Sequence, residues 1–178
     1  LTETDVRTIA KAFQKELSYV DLGTRIVSAA EGLLAMCELV VQGPEKVTLD
    51  FAYGPASASQ RFITEGTFSR DAIRQAAQEM LDIARATGQM PSVVWLAGQS
   101  VRPEDFAVTL ASVVTSGRDS GDVELQRGEL AAQKYVADDS SGLWGWVVFP
   151  KDFNAPGMME LAKLQAWTIK PAVLRRTN

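Results

Sequence analysis

Four tryptophans, Trp95, Trp144, Trp146 and Trp167, offer the most recognisable chemistry in this 178-residue chain. An indole has a flat apolar face and a single N–H. That suits stacking on a sugar ring, and it equally suits a protein interface. Trp144 and Trp146 stand two apart in "LWGWVVF", so in a strand they share a face. Trp95 lies in the β-branched run "SVVWLAG", where its neighbours Val94 and Leu96 face the other way. The candidate binding residues are therefore Trp95, Trp144, Trp146 and Tyr135, with Tyr53 behind them. The competing reading is that each indole packs into the core.

Other chemistries find little support. The chain has no histidine, which removes Ser-His and Cys-His nucleophile systems and histidine metal ligands. Its single cysteine, Cys37, cannot form an internal disulfide and sits on the apolar side of a predicted helix, where it is inert packing. Asp138-Asp139, followed by Ser140-Ser141, offers oxygens to a hard cation, but a solvated turn explains the same residues. Asp50, Asp119 and Asp122 lack calcium-loop spacing. "GPEK" and "TSGRDSG" lack a phosphate-loop lysine, and there is no dinucleotide fingerprint. The expectation is a non-catalytic chain without cofactor or metal; carboxylate chemistry is the one enzymatic route left open.

Charge and composition narrow the partners. With 18 basic and 22 acidic residues the formal net charge is -4, and there is no Lys/Arg run to attract nucleic acid. At 46% hydrophobic and 22% charged residues, this is ordinary globular material. The strongest apolar run, around residues 33–41, is interrupted by Glu38, so no membrane-spanning helix is expected. The chain opens on Leu1 without a basic-then-apolar leader, and it reads as a fragment or processed chain.

The elements that must position these residues follow from periodicity. Val6, Ile9, Ala10, Phe13 and Leu17 line one face of a helix over 2–17, with Thr2 and Asp5 at capping-box spacing. A second helix is predicted over 25–41 and ends at Gly43-Pro44. A strand "KVTLDFAY" follows. Ser69 caps a helix over 70–86 that Gly88 stops; a strand over 92–98 comes next, and Pro103 opens another helix. Residues 115–122 read as a loop, 143–149 as a strand, and a final helix runs from about Asn154 to Trp167.

The chain also repeats itself. Shifted by 47, from Ile26 onto Ile73, Ala29 and Ala30 fall on Ala76 and Ala77, Pro44 on Pro91, Val47 on Val94 and Leu49 on Leu96. Spacing of this length is typical of repeat architectures. V-x-P-x-D-F also occurs twice, as Val101, Pro103, Asp105, Phe106 and as Val148, Pro150, Asp152, Phe153. It reads as punctuation: a strand end, a helix-opening Pro, an acid at the positive helix start and a Phe plugging the core. The predicted fold is α+β, or α/β: one domain over 1–178, with repeat-like units at 26–55 and 70–115 and a strand-helix segment at 123–172.

Ala76-Ala77, Thr87-Gly88-Gln89-Met90-Pro91, Val93-Val94, and Phe106 with Leu110 together resemble the pseudomurein-binding repeat over residues 73–114. Residues 143–172 look like the closing segment of repeat-bearing proteins of that kind. The resemblance implies a cell-wall-associated module that binds a wall polymer or glycan, located outside the cell or in its envelope. It supplies no catalytic residues. Burial of the same aromatics against a second copy gives the alternative, a homo-oligomer of a surface assembly. A cytoplasmic location is the alternative for a chain without disulfides.

Overall fold

Each of the first three helices begins where a side chain closes its first turn. The computed structural model describes residues 1–45, 47–57, 61–117, 121–136, 141–155 and 157–172. In α1 (Glu3–Phe13), Thr2 N donates to Asp5 Oδ2 at 2.8 Å and Asp5 N donates back to Thr2 Oγ1 at 3.2 Å. The Thr2 backbone N–H holds the Asp5 carboxyl below its usual range. The helix stops at Phe13, short of the expected Leu17. That leucine is buried separately and bridges Leu130.

Helix α2 (Ala29–Gln42) starts later than its apolar stripe suggests. Ser28 and Glu31 form a second reciprocal cap, at 2.7 and 3.2 Å. Ile26–Val27 is instead β2, paired antiparallel with β1 (Val20–Asp21). Asp21 Oδ1 accepts from Gly23 N at 2.7 Å in the connecting turn, where Gly23 takes φ +80°. Ser69 caps α3 (Arg70–Thr87), and left-handed Gly88 ends it.

The four long helices carry the core. α2 is buried nearly all round its first ten residues and packs on α1, α3 and α4 (Pro103–Ser116). α1 meets α2 very closely, since a Cβ on Gly32 would lie 2.7 Å from Phe13 Cζ and 2.9 Å from Ile9 Cγ2. The strands are short and peripheral. β3 (Thr67–Phe68) pairs with β6 (Val123–Glu124), and β4 (Val94–Leu96) pairs with β5 (Gln99–Val101), all antiparallel. The architecture is mixed α+β in one compact domain.

Two expected strands are absent. After Pro44, residues 47–52 form no ladder. Leu1 N donates to Val47 O at 2.7 Å, and Glu38 accepts from Thr48 N at 2.7 Å. Arg85 joins Glu38 (3.2 Å) to Asp50 (2.7 Å). Side chains and the chain start thus occupy groups that a strand partner would need. Just beyond this stretch, Tyr53 forms an isolated bridge with Gln89. The segments after Pro44 and Pro91 therefore take different elements, and Ile26 lies in a strand where Ile73 lies in a helix.

The second correction concerns "LWGWVVF". It is not a strand: Ser141–Trp144 is a short helical turn (α5), followed by a turn in which Phe149 N donates to Trp146 O at 2.9 Å. The two V-x-P-x-D-F copies also diverge. Pro103 opens α4 and Phe106 plugs the core, as expected. Pro150 begins a turn closed from Phe153 N to Pro150 O, with Asp152 at φ +64° and no helix. The last helix, α6 (Met158–Gln165), starts after Gly157 rather than at Asn154 and leads into a single 3-10 turn, Ala166–Thr168.

Candidate functional site

The sequence-predicted aromatics are divided between surface and interior. Trp95 is exposed on β4, opposite Ser100, at the side of a two-residue hairpin. Tyr135 is exposed at the end of a 3-10 turn (Ala131–Tyr135), with Lys134 Nζ 5.2 Å from its ring centre. Tyr53 is exposed and meets Phe51 edge-on at 5.1 Å.

Trp144 and Trp146 separate completely. Because the segment turns, Trp144 is 8% exposed while Trp146 is 67% exposed. Trp144 packs edge-on against Phe149 (5.5 Å) and Phe153 (5.6 Å), and those two rings stack at 5.0 Å. Its faces are taken up by packing, so the shared strand face expected for the pair does not exist. Trp146 leads into fully exposed Val147 and exposed Val148. Trp167 is completely buried. The carboxylate pair Asp138-Asp139 and Asp119 lie outside the described residues. Among the described residues no three His, Cys, Asp or Glu side chains gather as a metal site. Cys37 is enclosed, and burial pushes its thiol well above the ordinary range, as packing requires.

A cleft of about 490 Å³ lies between the ends of α2 and α4 and the starts of α1 and α3. Its arginines have structural work. Arg7 donates to Val114 O at 2.6 Å, Arg74 to Val41 O at 2.8 Å and Arg70 to Ser116 Oγ at 3.2 Å. They serve helix ends whose last carbonyls lack intrahelical partners.

The more chemically unusual place is the first turn of α4. Asp105 is fully buried and fully served. Arg102 grips it with Nε at 3.1 Å and Nη2 at 2.7 Å, Arg127 approaches at 3.2 Å, and Gly128 N donates at 2.9 Å. Arg102 also donates to Gly128 O, and Thr109 Oγ1 accepts from Gln126 N at 2.9 Å. These bonds clamp the 126–128 segment onto α4. Gly128 must be glycine, because a Cβ there would strike the Glu104 backbone oxygen and lie 2.8 Å from its carbon.

Glu104, one residue earlier, is 8% exposed and accepts no hydrogen bond from any other described residue. Burial pushes its carboxyl above the usual range, against the pull of its own backbone N–H and of Arg102. Trp167 Nε1 is buried beside it without a hydrogen-bond partner; the indole biases the carboxyl toward its charged form, yet lies outside bonding geometry. Glu104 faces a second cleft, of about 310 Å³. Reading Pro103-Glu104-Asp105 as a helix opening caught the helix and missed the site. The available signal was two acids next to a helix that is apolar over most of its surface. No family model, no curated protein and no solved structure matches this chain.

Proposed function

We propose that this domain is a non-catalytic binding module of the cell envelope that takes a wall polymer or glycan on exposed aromatic side chains, foremost Trp95. The observation that supports it is Trp95 itself: a large indole left exposed on a hairpin, where a flexible loop would have blurred its geometry. Trp146 and Tyr135 are exposed as well and are assigned as further contacts to the same polymer. The resemblance of residues 73–114 to a wall-binding repeat, and the duplication read from Ile26 onto Ile73, belong to the same proposal. So does a location outside the cell or in its envelope, the cytoplasm being the alternative. No helix of the described residues is long and apolar enough to cross a membrane.

The test is co-sedimentation with purified wall polymers, followed by titration with their soluble fragments. Trp95→Ala should fold normally and bind about tenfold more weakly, the effect of losing about 1.4 kcal/mol of stacking. Unchanged retention would sink the reading.

A second reading is self-association. The consecutive exposed residues Trp146, Val147 and Val148 favour it, since an apolar run of this kind is covered in many assemblies. Concentration-dependent oligomers that Trp146→Ala and Val147→Ser abolish, with no polymer retention, would replace the first reading.

A further inference from the structure

The cleft before Glu104 has the volume of a small ligand site, about 310 Å³. Its most informative feature is a mismatch between neighbours. The fold satisfies buried Asp105 four times over and leaves Glu104, more than nine-tenths buried, with its own backbone N–H and a poorly aligned Trp167 indole N–H as its donors. A buried carboxylate so weakly served is costly, and where one lines a cleft a well-aligned donor from a ligand is favoured.

The surroundings say what that partner carries. Glu129 adds a second negative charge at the rim. The Ser57 and Ser92 hydroxyls, 3.1 Å apart, offer oxygens. Gln133 uses its amide N–H toward Lys163 O at 3.5 Å, leaving its carbonyl oxygen as an acceptor. Among the described lining residues Arg102 is the cation, and Asp105 and Gly128 O hold it. The cleft is thus rich in acceptors and negative charge. Pro55, Phe62 and Leu164 supply apolar wall for a hydrocarbon stem, and the Phe62 ring favours a nearby cation.

We propose that this cleft binds a primary ammonium group on a short aliphatic stem, with Glu104 as its counterion. The ammonium gives Glu104 the donors the fold withholds, and the stem lies along the apolar wall. Trp95 does not line this cleft, and the proposal stands whether or not the aromatic surface binds a polymer.

The experiment is a ¹H–¹⁵N titration of the whole chain with n-butylammonium chloride, with sodium butyrate and 1-butanol as matched probes at constant ionic strength. Saturable shifts of the Ser57, Ser92, Gly128 and Gln133 amides are expected with n-butylammonium, with affinity on the order of millimolar for so small a ligand. Glu104→Gln, whose spectrum reports its folding directly, should weaken binding at least tenfold. Equal shifts with 1-butanol, stronger shifts with butyrate, or unchanged affinity in Glu104→Gln would overturn the proposal. Nα-acetyl-lysine methylamide identifies the source. If it binds at the same amides, the cleft accepts a peptide-borne lysine; if n-butylammonium alone binds, it accepts a free amine. Both results support the ammonium site.

Discussion

Glu104 and Asp105 should respond in opposite directions to the same chemical change. Each becomes an isosteric neutral amide in Glu104→Gln and Asp105→Asn. At Asp105 the substitution breaks a charged network. The Arg102 fork, largely sheltered, contributes about 1.5–3 kcal/mol, and the Gly128 N–H about 1 kcal/mol. Arg127 is half exposed, so its 3.2 Å pair adds under about 1 kcal/mol. Together these predict a loss of about 2.5–5 kcal/mol, comparable to that for breaking a buried pair, and a fall in Tm of roughly 5–20 °C for a chain of this size.

Glu104→Gln removes a charge whose burial outweighs the pull of its own backbone N–H, Arg102 and Trp167, so it should stabilise. The pH dependence fixes the sign. Burial raises the folded-state value of Glu104 above the ordinary 4.5, so the folded state holds this proton more tightly than the unfolded state. Well below 4.5 both states are protonated and the penalty is absent. It develops as pH rises through the raised value and is complete above it. Thermal melts of wild type and Glu104→Gln should therefore nearly coincide at pH 4 and diverge by pH 7, with the variant higher. Refutation would be a variant less stable than wild type at pH 7, because Glu104 would then be a net stabilising charge with a partner.

Gly32→Ala should lose about 1–3 kcal/mol in urea unfolding, since the new methyl would meet the Phe13 ring and Ile9 at under 3 Å. Ala97→Asn should raise stability by up to about 1 kcal/mol, because Ala97 holds φ +48° in the β4–β5 turn and Asn tolerates that region; a lower Tm would contradict the turn geometry. Trp144→Ala should lose about 3 kcal/mol and much of the near-ultraviolet circular dichroism, whereas Trp146→Ala should change stability by under about 0.5 kcal/mol. Similar losses at both positions would mean that they share one packed face after all.

What was legible in the sequence was local. α1, α3 and α4 follow from apolar stripes and from punctuation at the helix ends: Thr2 with Asp5, Ser69 and Gly88 at either end of α3, and Pro103. The start of α2 was equally local, as Ser28 and Glu31 have capping-box spacing, but the apolar stripe reaching back to Ile26 masked it. Strand pairing is not local. Residues 47–52 have the composition of a strand and lack a partner, because Leu1, Glu38 and Arg85 reach them first. "LWGWVVF" shows the limit of short apolar runs. Phe149 and Phe153 draw Trp144 into a knot, and alternation then says nothing about where Trp146 points.

The α4 start carries this furthest. Glu104 and Asp105 are adjacent acids in one helical turn, and any reading of local chemistry gives them the same role at the positive helix end. What separates them is the arrival of Arg127 and Gly128 from more than twenty residues away, on the Asp105 side only. Gly128 comes so close to the Glu104 backbone that it admits no side chain, so the same approach that completes Asp105 also closes one wall of the cleft beside Glu104. The clamp and the weakly served carboxylate are therefore one feature. A substitution that loosens the clamp, such as Gly128→Val, should lower stability and, by opening that wall, let water solvate Glu104. The pH-dependent gap between wild type and Glu104→Gln should then shrink in the Gly128→Val background. A gap of unchanged size would mean that Glu104 is buried by something other than the segment that holds Asp105.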